Sequence, residues 1–114
     1  MWATLHFTLL RDTDINYKVS VRLRDEEGQV VSQMDRDLLN DRHFRTSAWP
    51  LTDPSLNQAI NVYTLPLSPE TSPGTYQLEA VVYNAEPPYP GEGVTGHENT
   101  DGVAAILGRI TVVP

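Results

Sequence analysis

Apolar and polar residues alternate strictly along residues 17–24, which have the sequence YKVSVRLR. Alternation with a period of two indicates a strand with one buried face, because successive side chains of a strand point to opposite faces. A polar turn that ends at Gly28 follows, and residues 29–34 return as the second strand of a hairpin. The apolar positions of the first strand, which we expect in the core, are Tyr17, Val19, Val21 and Leu23.

Four other segments have strand character, and turn-forming residues separate them. They are residues 5–10, 57–65, 74–83 and 106–113. The positions of these strands that we expect to face the core include Tyr76, Leu78, Ala80 and Val82, and in the last strand Ile106, Ile110 and Val112 share one side. Residues 36–44 are the one candidate for a short amphipathic helix, with Asp35 or Asp37 as its cap. Many short strands predict an all-β sandwich or barrel.

Length and charge restrict the function of the chain. Its 114 residues correspond to one domain, 1–114. With 15 acidic residues against 8 basic ones, the net charge of −7 argues against binding to nucleic acid or to anionic lipid. No apolar run approaches the roughly 20 residues that cross a bilayer, so we expect no membrane insertion by this chain. The absence of cysteine excludes thiol catalysis and cysteine-ligated metals.

Two segments imitate metal-binding motifs and then depart from them. Residues 12–16 have the D-x-D-x-N start of an EF-hand loop, but Tyr17 replaces its glycine and Leu23 its final glutamate. Residues 97–101, HENTD, have aspartate in place of the second histidine of H-E-x-x-H, and Gly102 follows at once. We therefore expect polar loops, no zinc or calcium site, no cofactor and no catalytic residues.

Loop aromatics and the segment 86–103 supply the candidate ligand-binding residues. This segment is rich in proline, glycine and polar residues, and loops of such length are often functional. An aromatic face in a loop can stack on a sugar or a peptide. The candidates are Trp49, Tyr89, His97 and Glu98. Two alternatives remain: Trp49 closes one end of the sandwich, and Tyr89 belongs to a proline-stiffened loop without a ligand.

Four segments together resemble a known family. They are YKVSVRLRDEEGQVVSQMD (17–35), FRTSAW (44–49), LPLSPETSPGTYQLEAVVYN (65–84) and ILGRITV (106–112). The chain resembles the immunoglobulin-like β-sandwich domain C-terminal to the membrane region of bacterial glycosyltransferase-like proteins of the dolichyl-phosphate-mannose mannosyltransferase type. The resemblance implies about seven strands in two antiparallel sheets, an extracytoplasmic location within a larger membrane protein, and no catalytic residues. Tyr76, two residues after Gly74, also resembles the tyrosine corner of such domains, in which the hydroxyl bonds to nearby backbone.

The resemblance also predicts an open sheet edge. Relatives have a strand before the one at Leu5, and this chain lacks it, so we expect a fragment of a longer protein. An unpaired edge recruits other strands, and we therefore predict a homodimer through that edge. The alternative is a monomer whose edge is covered by residues 86–103.

Three functions are compatible with the sequence. The leading hypothesis is a non-catalytic accessory or interaction domain of a bacterial envelope protein, with a protein or glycan partner. The alternative is a carbohydrate-binding module that uses the loop aromatics. The third is a small enzyme that uses the histidines, although no serine or cysteine nucleophile motif lies near His6 or His43.

Overall fold

Antiparallel strands make up most of the molecule. The computed structural model describes residues 1–92, 100–101 and 103–113. The strands are β1 (Trp2–Thr8), β2 (Tyr17–Arg24), β3 (Val30–Asp37), β4 (Gln58–Thr64), β5 (Gly74–Asn84), β6 (Gly91–Glu92), β7 (Thr100–Asp101) and β8 (Ala104–Val112). Within the described residues, the one helical element is the 3-10 turn Thr46–Ala48.

The strands form two sheets that share one core. The smaller sheet pairs β1 with β4, and the larger has the order β3-β2-β5-β8-β7, with β6 pairing the end of β5. All pairs are antiparallel. Tyr63 of the small sheet and Val19 of the large sheet are both fully buried in the same cluster. The predicted all-β fold with two antiparallel sheets is confirmed, and the arrangement is that of a sandwich.

The core contains the alternate residues that the sequence pattern selects. Val19, Val21 and Leu23 of β2 have no exposed surface, because strand alternation turns all three toward the small sheet. Of the eight side chains predicted inside from these two strands, six are buried. The two half-buried exceptions, Tyr17 and Leu78, pack against the core cluster. The inward-facing set on β2 and β5 is therefore correctly predicted.

The side assignment of β8 was wrong. A register shift between Leu78 and Glu79 inserts one extra residue into β8. Ile110 pairs with the buried Tyr76, whereas Ile106 pairs with Glu79 on the opposite face. A bulge places two residues against one and so reverses the face of everything beyond it. Ile106 therefore does not share a face with Ile110, and the neighbouring Leu107 packs against the core instead.

Residues 36–44, the one candidate for a helix in a sequence without a convincing one, form no helix. Strand β3 continues to Asp37, and a turn closed by the side chain of Asn40 follows. The Asn40 carboxamide oxygen accepts hydrogen bonds from the amides of Arg42 (3.1 Å) and Phe44 (3.0 Å). Asparagine competes with the helix for backbone donors in this way. The buried amide therefore fixes a turn where the apolar spacing alone favoured a helix.

The hydrogen bond of the tyrosine corner is present at the start of β5. The buried Tyr76 hydroxyl donates to the backbone oxygen of Ser72 at 2.5 Å. This contact ties the segment before β5 to the strand itself. The structural role predicted for Tyr76 from its spacing to Gly74 is confirmed.

Candidate functional site

Trp49 lies in the hydrophobic core. Its side chain is 5% exposed, and its indole Nε1 donates to the backbone oxygen of Phe44 at 2.8 Å. A ring with both faces packed has no surface to offer a sugar. The structure therefore supports the alternative in which Trp49 closes the sandwich, and it corrects the inclusion of Trp49 among the ligand-binding candidates.

Tyr89 has the opposite environment. Its side chain is 57% exposed, and its backbone is left-handed with φ of 58°. A turn holds it, in which the Tyr89 amide donates to the oxygen of Glu86 at 2.9 Å. The base of the loop is anchored where the Asn84 amide donates to the Pro90 oxygen at 3.0 Å. His97 and Glu98 lie outside the described residues.

Tyr89 borders a cleft on the outer face of the large sheet, which we name the outer cleft. Its volume is about 560 Å³. The side of the sheet opposite the core supplies its floor, where Lys18 of β2 lies opposite Tyr83 of β5. The residues that line it are Lys18, Arg22, Asp35, Val81, Tyr83, Ala85, Tyr89, Gly91 and Val103.

A hydrogen-bonded network fixes the polar side chains of the outer cleft. Asp35 Oδ1 accepts from Ser20 Oγ (2.8 Å) and from Gln33 Nε2 (2.9 Å). Asp35 Oδ2 accepts from the Tyr83 hydroxyl at 2.6 Å. Ser20 has no exposed surface, and its Oγ also accepts from Arg22 Nε at 2.9 Å. The Asp35 carboxylate is thus held by three donors, and Arg22 is oriented through Ser20.

The electrostatics of the outer cleft differ from those of the whole chain. Burial raises the pKa of Tyr83 to about 12, and its hydrogen bond to Asp35 and the charge of that carboxylate act in the same direction. The Tyr83 hydroxyl is therefore neutral near pH 7. Among the described lining residues the cleft holds two cations, Lys18 and Arg22, and one carboxylate, although the chain carries a net charge of −7.

The described residues of the cleft contain no recognisable catalytic apparatus. Ser20, the buried hydroxyl beside it, donates to a carboxylate rather than to a histidine base. His6 lies on β1 and shares a hydrogen bond with Gln58, whereas His43 lies in the turn after β3. In residues 1–92, 100–101 and 103–113, no three His, Cys, Asp or Glu side chains come together as metal ligands. The same part of the chain has no helix long and apolar enough to cross a membrane.

A second surface covers the solvent face of the small sheet. Trp2, Ile60 and Val62 are 73%, 63% and 47% exposed there, and we name these three residues the apolar strip. The register places them on one face, because Trp2 lies opposite Thr64 and Val62 lies opposite Thr4. The remaining side chains on this face belong to Thr4, His6, Thr8, Gln58 and Thr64. None of them is Asp, Glu, Lys or Arg.

The two edges of the small sheet have different surroundings. Side chains of β3 cover the edge of β4: Arg36 Nη1 donates to the Val62 oxygen at 2.8 Å, and the Thr64 amide donates to Met34 Sδ at 3.0 Å. Among the described residues, β1 pairs with β4 alone. Antiparallel pairs alternate in the direction of their backbone groups. The backbone N–H and C=O of Trp2, which lies opposite Thr64, therefore point away from β4. The same holds for every second residue of β1 after Trp2.

The sequence singled out Tyr89, which the structure places at the margin of the outer cleft, and did not single out the other residues that line it. Lys18, Arg22, Asp35 and Tyr83 are ordinary polar positions of alternating strands, and only the strand register makes them neighbours. The available signal was the set of alternate polar residues on three strands that were each correctly recognised.

No protein-family model, no curated protein and no solved structure matches the chain.

Proposed function

We propose that this chain is a non-catalytic interaction domain of a larger bacterial envelope protein, and that it associates through the apolar strip and the edge of β1. The observation that carries the proposal is an uncharged, exposed apolar surface directly beside the edge of β1, whose outward backbone groups pair with no strand among the described residues. Exposed apolar patches on soluble domains mark interaction surfaces, and open edges accept strands.

The occupant that fits this surface is a second copy of the chain. Two β1 strands related by a two-fold axis run antiparallel, so each can pair with the other in one continuous sheet. The face of the small sheet carries no charged side chain, whereas the whole chain carries −7. Two copies that meet here bring no like charges into direct contact, which is not true of the acidic remainder of the surface.

The strand order supports the immunoglobulin-like assignment on which the envelope location rests. Immunoglobulin domains pair strands B and E in one sheet and arrange C′, C, F and G in the other. The pair β1-β4 and the order β3-β2-β5-β8 correspond to these in chain order. Tyr76 also occupies the tyrosine-corner position at the start of the F equivalent. In that arrangement strand A lies beside B, which is the side of β1 that is open here.

Sedimentation velocity over a range of concentrations tests the association. We expect a dimer in the micromolar range for the unchanged chain and a monomer for Thr4→Pro, because proline removes a backbone N–H that points to the open edge of β1. Leu10→Pro is the matched control, since Leu10 is exposed and lies beyond the end of β1. A monomer that persists at high micromolar concentration, or a dimer insensitive to Thr4→Pro, would overturn the proposal.

A carbohydrate-binding module is the second candidate, and Tyr89 favours it. The exposed ring borders a cleft that also presents hydrogen-bonding groups, such as those of Lys18 and Arg22. Sugar sites combine an aromatic face with polar side chains in this way. We expect saccharide titrations followed by amide chemical shifts to perturb cleft residues. Tyr89→Ala should abolish the effect, and Phe44→Ala, which truncates another exposed aromatic, should not.

A further inference from the structure

We propose that the outer cleft binds an acidic sugar, with Lys18 and Arg22 holding its anionic group and Tyr89 packing against its ring. The inference rests on the second candidate function and names its ligand class. Three features carry it: two cations without an ion-pair partner in the described part of the chain, a carboxylate that already accepts three hydrogen bonds, and the conformation in which Tyr89 is held.

Both cations line the outer cleft. Lys18 and Arg22 lie on one face of β2 on either side of Ser20, so roughly 13 Å of strand separates their Cα atoms while their long side chains can converge. Arg22 uses Nε to reach Ser20. Its terminal nitrogens and Lys18 Nζ have no hydrogen-bond or ion-pair partner among the described residues. Within that part of the chain, both cations are available to an anion.

Arg24, on the same face of β2, shows the contrast. Its Nε lies 2.6 Å from Glu79 Oε1, and its Nη1 donates to the Gly28 oxygen at 2.8 Å. That arginine is thus neutralised within the protein. Arg22 lies two residues away and is left without a carboxylate partner among the described residues, at the position where the sheet opens into a cleft.

Asp35 does not compete for these cations as a free carboxylate would. Its two oxygens already accept from Ser20, Gln33 and Tyr83. Hydrogen bonds of this kind disperse the charge of a carboxylate and fix its position. Through Ser20, the same network sets the direction of Arg22. Asp35 therefore serves as a positioning residue, and Asp37, which lies opposite Lys18, is paired with Arg45. Among the described lining residues, two cations stand against one carboxylate.

The conformation of Tyr89 suits it to face a sugar ring. A left-handed backbone is uncommon for a residue other than glycine, and such strained residues concentrate at binding sites. The turn from Glu86 and the anchor between Asn84 and Pro90 hold the residue at the cleft margin. The backbone that carries the exposed ring therefore needs little reordering when a ligand packs on it.

Titration of glucuronate and glucose against the intact chain at low salt, followed by amide chemical shifts, tests the inference. We expect glucuronate to bind roughly tenfold or more tightly than glucose, because hydrogen bonds between charged groups are the stronger ones. Arg22→Gln and Lys18→Gln should each reduce glucuronate affinity by about tenfold. The control Arg109→Gln removes an exposed cation from β8 of the same sheet and should leave affinity unchanged.

The outcomes separate this inference from the function on which it rests. Equal binding of glucose and glucuronate, lost in Tyr89→Ala, would overturn the acidic ligand and leave a carbohydrate module. Inorganic phosphate binding as tightly as glucuronate would also overturn it, since the ring would then contribute nothing. No binding of either sugar would refute both. Unfolding curves of the Gln variants that match the unchanged chain exclude loss of fold as the cause.

Discussion

Removal of the hydroxyl oxygen should lower the stability of the protein at one buried tyrosine and leave it unchanged or raise it at another. The Tyr76 hydroxyl donates to the Ser72 oxygen, whereas the Tyr63 hydroxyl is buried without a hydrogen-bond partner among the described residues. Tyr63 has no exposed surface at all. Replacing each by phenylalanine keeps the ring and removes only the oxygen. The pair therefore measures what a satisfied and an unsatisfied buried hydroxyl contribute.

The magnitudes follow from the partners. Tyr76→Phe loses one net hydrogen bond, about 1 kcal/mol of stability, and the exposed Ser72 can be rehydrated at its carbonyl. Tyr63→Phe removes a hydroxyl whose dehydration costs about 1–3 kcal/mol without compensation. It should thus be neutral or stabilising by about 1 kcal/mol. The Arg36 guanidinium, 5.7 Å from the centre of the Tyr63 ring, stacks equally on phenylalanine.

Urea unfolding followed by tryptophan fluorescence measures the difference, since the buried Trp49 becomes hydrated on unfolding. We expect the two variants to be separated by about 2 kcal/mol, which corresponds to roughly 8 °C in Tm for a domain of this size. Equal destabilisation by both substitutions would show that Tyr63 has a partner, and the reasoning would then be wrong.

Three further predictions concern the ion pair on the outer face, alkaline pH and one turn. Arg24→Met should cost about 2 kcal/mol, less than for a fully buried pair because Arg24 is partly hydrated, and adding Glu79→Leu should recover most of it in a double-mutant cycle. Tyr63 and Tyr83 have pKa values raised to about 12, mainly by burial, so the stability they contribute is complete below about pH 10 and is lost as the pH rises through 12. Phenolate absorbance should show two tyrosines titrating last, and completion of the titration by about pH 11 would contradict this. Gly28→Ala should destabilise by about 1 kcal/mol, because φ at this position is +80°, and an unchanged unfolding midpoint would count against that reasoning.

The strands were predictable because their burial is one-sided. The span predicted for residues 17–24 coincides with β2, and alternation alone identified its inward face. The burial of side chains on the outward face was harder to predict. Ser20 and Glu79 lie on it and yet are 0% and 4% exposed, because the long side chains of neighbouring strands cover them. Pattern reasoning treats polar alternate positions as solvated, and it has no access to what lies across the sheet.

The wrong side assignment in β8 and the absence of a helix after β3 have a common physical origin. A bulge beside Glu79 reversed the face of Ile106, and the Asn40 side chain replaced helical hydrogen bonds in the segment 36–44. Each depends on one residue and its specific partner, whereas periodicity averages over a segment. The outer cleft was unpredictable for a related reason, since it exists only once β2, β3 and β5 are in register.

If two copies pair through β1 as proposed, the coverage of the β4 edge by Arg36 and Met34 would determine how far association can proceed. A sheet with two free edges can add copies without limit, and its product is a fibre. A sheet with one free edge is used up when two copies meet, so growth stops at a pair. In such a pair Arg36 would limit the assembly to two copies, and its replacement by a short side chain would open a second growing end. The hydrogen bond that it donates to Val62 would then separate a finite assembly from an endless one.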